Sequence, residues 1–334
     1  MRLPVLSKDD LQLQIQQLIG SELSVVNDVL EQQFRNPNEF VRELCDHVAR
    51  YQGKRIRPVL LLLCARIFGT PPDRRQSMYR LAAVVEMIHT ATLVHDDVID
   101  DADLRRHVST VHRRWNTETS ILLGDYLFSR AYHLAATTGD AEACRLIGRA
   151  TDRTCEGELN QIASRLDHST SERDYFRVIA GKTGQLFAVS CLLGARISGA
   201  PAAQQKQLRQ FGFRLGLAFQ IADDLIDLTE RREATGKDAA NDLRNGRLTL
   251  PLIRALRLAA PQERQRLAER LDSDRIAAQE QLSQDPCLVR GLNSARNTAD
   301  ELIRRAVGNL SRLPVCGETE LLQSIAQFAV HRSA

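Results

Sequence analysis

The sequence predicts an all-α protein: a single large helical bundle over residues 1–334. Three observations carry that expectation. No proline falls between 73 and 200. Apolar residues recur there at the helical spacing of three and four. Alternating period-two runs joined by two-residue turns are missing. With 334 residues, 43% of them hydrophobic and 26% charged, the chain has the apolar surface for a large core.

In chain order, helices are expected over 80–100 (RLAAVVEMIHTATLVHDDVID), 120–136 (SILLGDYLFSRAYHLAA), 142–163 (EACRLIGRATDRTCEGELNQIA) and 174–195 (DYFRVIAGKTGQLFAVSCLLGA), with another from about Gln204 to Thr229. Loops fall at GTPPD, TTGD, SGAP and RNGR, where the turn-forming residues gather. From Asp285 onward two further helices are expected, packed on the outside. No Gly/Ser linker divides the chain. Most helices are apolar over wide faces, which suits helices surrounded by others; a bundle of this kind can hold a site between facing helices.

The net charge of +3 is too near balance for a nucleic-acid binder, so an anionic ligand must be met by local clusters. Seven cysteines, odd in number and without a C-x-x-C pair, argue against a disulfide framework or zinc site and for a reducing cytoplasm. The N-terminus, MRLPVLSKDDLQLQ, lacks an apolar signal region, and no later stretch reads as long and uncharged enough to span a bilayer.

The helix over 80–100 ends in HDDVIDDADLRR, with five aspartates: 96, 97, 100, 101 and 103. The D-D-x-x-D form of DDVID recurs as DDLID at 223–227. Residues four apart share a helix face, about 6 Å apart along the axis. Asp96 therefore points with Asp100, and Asp223 with Asp227. One such motif is as readily a solvated helix end. Two, each following an apolar helix, point to a site, because partly buried carboxylates need a metal or cations. All-oxygen ligands favour Mg²⁺ over zinc, and Mg²⁺ keeps waters and takes substrate phosphate oxygens. A phosphorylated ligand held through Mg²⁺ follows. Asp101 and Asp103 need no more than a solvated helix end.

Cations flank these clusters: Lys54, Arg55 and Arg57 in QGKRIRP, and Arg105 and Arg106 after the first acidic motif. Arginine forks suit phosphate oxygens, and lysine acts as a point charge. GKTG at 181–184 is not a P-loop, since Phe176 stands where the first glycine belongs and no strand precedes it. Lys182 and Thr183 fit a bundle cavity better. Glu86 and His89 form one E-x-x-H pair, whereas a di-iron bundle needs two; a structural hydrogen bond or a ligand contact suits His89.

In the order GKRIRP, HDDVIDDADLRR, GDYLFSRA, EGELNQ, GKTGQLF, GLAFQIADDLID and GKDAANDLRNGRLTLP, these motifs resemble the trans (head-to-tail) isoprenyl diphosphate synthases, or polyprenyl synthetases, over nearly the whole chain. The resemblance implies the isoprenoid synthase type of helical fold, a bundle around a deep central cavity, and a homodimer. It implies a prenyltransferase that condenses an allylic diphosphate with isopentenyl diphosphate. Asp96 and Asp100 would hold two Mg²⁺ ions, with Asp97 nearby, and Asp223 a third, supported by Asp224 and Asp227. Arg105, Lys182 and Lys237 would contact the allylic diphosphate; Lys54, Arg57, His89 and Arg106 would bind isopentenyl diphosphate; Thr183 and Gln220 would lie beside the reacting carbons. Metal and cations stabilise the departing diphosphate, the double bond attacks the allylic cation, and a proton passes to the released diphosphate. Two positions depart from the family pattern: His107 in place of glycine after the two arginines, and Arg247 in place of lysine before TLP.

By the same resemblance, residues before the first acidic motif face the growing tail. Ala91 and Thr92 are small, which implies an open tunnel and a product longer than farnesyl, such as a quinone side chain. Met87, Ile88, Tyr132, Ile147 and Thr151 are candidates for its floor. A farnesyl or geranylgeranyl diphosphate synthase is the shorter-chain alternative. A terpene cyclase fits less well, because its second metal motif mixes Asn, Ser and Glu. A non-catalytic subunit of a heteromeric synthase typically loses acidic motifs that are intact here. No membrane anchor is expected, although a long product can need peripheral membrane contact for release.

Overall fold

A computed structural model describes residues 6–51, 53–165, 167, 169–229, 241–272 and 285–331. The described residues are helical nearly throughout. Helix α1 (Lys8–Phe34) starts at Ser7, whose hydroxyl accepts from the Asp10 N–H, and α2 (Glu39–Ala49) starts at Asn38, which accepts from Val41 N–H. Such caps satisfy donors that a helix start leaves open. Next come α3 (Ile56–Arg66), a 3₁₀ turn (Pro72–Arg74) and α4 (Arg75–Ile99). A short α5 (Val111–Arg114) leads to α6 (Thr117–Ala136) and α7 (Ala141–Ala163), capped by Asn116 and Asp140.

The expected helix over 174–195 is α8 (Glu172–Ile179), one π-helical turn (Ala180–Gly184) and α9 (Gln185–Ile197). Turns of this type recur at functional sites, and this one carries Lys182 and Thr183. Helix α10 (Ala202–Thr229) is the longest described. It is followed by α11 (Asn241–Arg244), α12 (Leu250–Leu258), α13 (Pro261–Asp272), α14 (Pro286–Leu310) and α15 (Gly317–His331).

The main core lies where α3, α4, α9 and α10 meet. Leu60, Leu61, Leu62, Leu63, Met87, Ile88, Phe187 and Phe211 are fully enclosed there, each side chain contributing about 2 kcal/mol through burial. A second group joins the C-terminal half of α10 (Ile221, Leu225) to α12 and α14 (Leu250, Leu252, Leu288). A third joins α2, the end of α4, α5 and α6.

Three expectations change. The last two helices are not an outer layer: Leu321, Leu322, Ile325 and Ala326 of α15 sit in the main core, and α14 packs along α10 and α12. Their apolar faces already have partners inside the fold. The stretch over α8 and α9 is, by length and composition, apolar enough to cross a membrane, but 78% of that window is buried in the protein. The run from Asp101 to Val111 is also not a fraying helix end. It contains a hairpin, with Leu104–Arg105 pairing Val108–Ser109 across a two-residue turn. Asp101 and Asp103 are exposed, but both pair with Arg113, at 3.0 and 2.7 Å.

The hairpin turn places Arg106 at φ 52° and His107 at φ 66°. Two-residue hairpin turns of this hand favour Asn and Gly, so Arg-His gave no turn signal in the sequence. A β-carbon in this region costs about 1–2 kcal/mol. His107→Gly is therefore expected to stabilise the fold by about 1 kcal/mol, read as a higher midpoint in chemical denaturation.

Candidate active site

The two acidic motifs end α4 and α10, and each splits by helix geometry. Asp96 and Asp100, four apart, face one way; Asp97, a further 100° round, turns inward. It is 1% exposed and accepts from the Arg105 Nε and Nη2 at 2.6 Å. Burial raises its carboxyl pKa against the pull of Arg105, and its Oδ2 has no hydrogen-bond partner. Asp224 does the same on α10. It is 3% exposed and accepts from the Tyr175 hydroxyl at 2.6 Å and the Gln220 Nε2 at 2.9 Å. Burial, reinforced by Asp242, pushes its carboxyl well up. Asp97 and Asp224, expected beside metal, and Arg105, expected on a diphosphate, are paired inward in this structure. The Gln220 Oε1 accepts from the Thr183 hydroxyl at 2.7 Å, which ties the π-turn to α10.

The outward aspartates meet cations. Asp100 accepts both Nη groups of Arg247, with Nη1 at 3.1 Å. Arg165 Nη2 lies 3.5 Å from Asp100 Oδ1 and donates to the Ile99 carbonyl at 3.1 Å. Asp96 Oδ2 is 3.4 Å from the Lys182 Nζ, which also contacts Glu158 at 2.8 Å and donates to Gln161 at 3.2 Å. Arg247 reaches Asp242 at 3.4 Å, and the Asp242 N–H donates to Asp227 Oδ2 at 3.1 Å. One chain of contacts therefore links the acidic motifs: Asp100, Arg247, Asp242, Asp227.

Burial opposes the charge on Arg247 and Lys182, yet Asp100 and Asp242 for the one, and Asp96 and Glu158 for the other, hold both above their ordinary values. Glu158 loses that competition. Burial first, and Asp96 second, push its carboxyl up to about 7. Two glycines set the approach of the π-turn to α7: a β-carbon on Gly157 would lie 2.6 Å from the Lys182 nitrogen, and one on Gly181 would lie 2.4 Å from the Arg153 carbonyl.

A second basic region lies at the start of α3. Arg57 is buried, with its guanidinium 4.9 Å from the Phe187 ring centre, and burial brings its pKa down to about 10 against the pull of Glu86. Glu86, also buried, is 4.0 Å from Arg55 Nη1. Arg106 donates to the Tyr51 carbonyl at 2.9 Å. The Lys54 Nζ lies 5.1 Å over the Phe328 ring of α15, at an apolar pocket lined by Ile15, Ile56, Phe219 and Ile325. His89 is half-buried on α4, one turn after Glu86. Lys237 lies outside the described residues.

The chain-length candidates divide between two core groups. Met87, Ile88 and Ile147 are in the main core, while Ala91 packs with Leu44, Cys45, Val48, Leu123 and Leu127. Thr92 is half-buried and donates to the His89 carbonyl at 2.7 Å, and Thr151 donates to the Ile147 carbonyl at 3.1 Å. Tyr132, expected at a tunnel floor, is 37% exposed, so its ring stands at the surface.

Among the described residues, no three acidic, histidine or cysteine side chains converge to hold an ion by themselves. A hard cation such as Mg²⁺ takes one or two carboxylates from a protein and completes its shell with water and phosphate. Asp96, Asp100, Asp223 and Asp227 offer such donors. Glu158, Gln161, Arg165, Tyr175 and Asp242 join the site with no role expected from the sequence. Glu158 and Gln161 form an i, i+3 polar pair in EGELNQ, and Asp242 falls within GKDAANDLRNGRLTLP.

The polyprenyl synthetase family profile matches residues 38–285. The octaprenyl diphosphate synthase of Haemophilus influenzae is 32% identical over 323 residues, 96% of this chain and 97% of that one. Heptaprenyl diphosphate synthase component 2 of Geobacillus stearothermophilus is 40% identical over 238 residues, 71% of this chain and 73% of that one. A polyprenyl synthase from Caulobacter crescentus, solved in complex with calcium and isoprenyl diphosphate, superposes with a TM-score of 0.89 at 33% identity, covering 100% of both chains.

Proposed function

Because the chain belongs to the polyprenyl synthetase family, we propose that it is a prenyltransferase that extends an allylic diphosphate with isopentenyl diphosphate to a long-chain trans-polyprenyl diphosphate, such as a quinone side chain. The carrying observation is the chain Asp100–Arg247–Asp242–Asp227, which joins two outward-facing aspartate pairs at one place. The names of the relatives support a long chain, and the calcium and isoprenyl diphosphate bound to the Caulobacter protein support a metal-held diphosphate.

In this reading Asp96, Asp100, Asp223 and Asp227 hold up to three Mg²⁺ ions. When bound, the metal supplies positive charge that stabilises the diphosphate as it leaves. Lys182 and Arg247 add fixed charge to the same diphosphate, as does Lys237. Lys54, Arg57, His89 and Arg106 hold isopentenyl diphosphate in the second basic region. Thr183, kept by Gln220, which is in turn kept by Asp224, puts hydroxyl and amide oxygens beside the allylic carbons, where a cation develops. The elements act as one domain. A homodimer is supported by Ile121 and Leu122 of α6 and Leu159 and Ile162 of α7, all exposed, since exposed apolar groups of this kind mark interaction surfaces. The seven free thiols suit a cytoplasmic setting.

Incubation of the purified chain with farnesyl diphosphate, labelled isopentenyl diphosphate and Mg²⁺ tests the reading; a ladder of products beyond farnesyl is expected. A second reading is favoured by the Geobacillus relative, which is named a component: turnover only with a partner protein would place this chain in a heteromeric synthase. Ala91→Phe is expected to shorten the product, at a cost of about 1–3 kcal/mol in stability for overfilling its enclosed site. An unchanged product length in a soluble variant would remove Ala91 from the tunnel.

A further inference from the structure

Asp100 is engaged by more cationic groups than one carboxylate needs. Both Nη groups of Arg247 reach it, and Arg165 Nη2 stands 3.5 Å from the same Oδ1. Oxygens committed to guanidinium hydrogens offer fewer lone pairs to a hard cation, and the neighbouring positive charge repels that cation. Arg165 has a second anchor, the Ile99 carbonyl, 3.1 Å away at the C-terminal end of α4, where the helix favours positive charge. Its side chain is 28% exposed against 7% for Arg247, so it can swing from carboxylate to an incoming anion without leaving that helix end.

We propose that Arg165 is a positioning residue: with Arg247 it holds Asp100 as an internal counter-ion, so that the first acidic motif takes up its metal together with a diphosphate and not before it. The diphosphate oxygens accept the guanidinium forks, which frees Asp100 for the metal. Two carboxylate–guanidinium contacts give way to phosphate–guanidinium and carboxylate–metal contacts, with no net loss of charge pairing. The effect is an ordered entry of metal and substrate. It rests on the diphosphate reading given above.

The test titrates the full chain with Mn²⁺ in the absence of diphosphate, following free Mn²⁺ by electron paramagnetic resonance. Arg165→Gln is expected to bind Mn²⁺ about tenfold more tightly than the wild type. Arg165→Lys, which keeps the charge, should stay within about twofold, and adding Asp100→Asn to Arg165→Gln should cancel the gain. Inorganic pyrophosphate should tighten Mn²⁺ binding about tenfold more in the wild type than in Arg165→Gln, since the phosphate draws the arginine fork away from Asp100. Circular dichroism confirms folding of each variant. Equal or weaker Mn²⁺ binding by folded Arg165→Gln without pyrophosphate would overturn the proposal. A wild type that holds no Mn²⁺ with pyrophosphate, beyond a protein-free control, would overturn the diphosphate reading and the proposal with it.

Discussion

Asp100→Ala is expected to lower kcat by about a thousandfold, the scale seen when a group aimed at developing charge is removed. The aspartate has two roles that this change removes together. It is an outward carboxylate of the first acidic motif, and it is the main partner of Arg247, which is 7% exposed. Breaking a buried ion pair from one side costs about 3–5 kcal/mol. Asp242, 3.4 Å from Arg247, retains part of that interaction, so the loss should fall near the lower end. Asp100→Asn separates the two roles: the amide keeps the shape and one acceptor, so stability should recover more than activity. Turnover of labelled isopentenyl diphosphate and thermal denaturation read the two effects. An Asp100→Asn enzyme with near-normal kcat would remove Asp100 from the chemistry.

Lys182→Ala should lower kcat by a factor of about 10² to 10³, as for the loss of one electrostatic contact in a dry site, and should change how stability depends on pH. The Glu158 carboxyl, pushed from 4.5 up to about 7, binds its proton more tightly in the fold than in the unfolded chain. Its contribution is therefore fully present below pH 4.5 and is lost as pH rises through about 7. Lys182 limits that loss by offering Glu158 a cation. Without it, Glu158 and Asp96 face each other with Arg247 left as the offsetting cation, the Glu158 pKa rises further, and the fall in stability continues to higher pH. Melting temperatures between about pH 5 and pH 8 should show a steeper decline for Lys182→Ala than for the wild type. Lys182→Ala with Glu158→Gln should flatten the curve without restoring kcat. A parallel pair of curves for wild type and Lys182→Ala would separate Glu158 from the lysine.

The sequence exposes the helices and the paired acidic motifs because both are short-range patterns. Period 3.6 marks α4, α7 and α10, and spacing of four puts Asp96 with Asp100 and Asp223 with Asp227. The inward turn of Asp97 and Asp224 follows from that spacing too, since the next residue in a helix lies 100° away. What local pattern cannot reveal is tertiary pairing. Tyr175 meets Asp224 across two helices, and Asp242 meets both Arg247 and Asp227, without any spacing rule in the chain. Arg165 reads as an ordinary surface arginine until its place under the end of α4 is known. The hairpin was hidden because Arg106 and His107 hold backbone angles their side chains disfavour.

The interior placement of α15 bears on how this polypeptide can be handled as a unit of inheritance. The family profile spans 38–285, yet Ile19, Val26 and Leu30 of α1 and Leu321, Leu322 and Ile325 of α15 fill the same core as the leucines of α3. Lys54 itself rests on Phe328. The stretch that carries the recognisable chemistry is therefore not a portable cassette. Moved alone into another polypeptide, it would bare the centre of the molecule to water and leave Lys54 without the ring beneath it, so gene fusions must keep both ends of the chain.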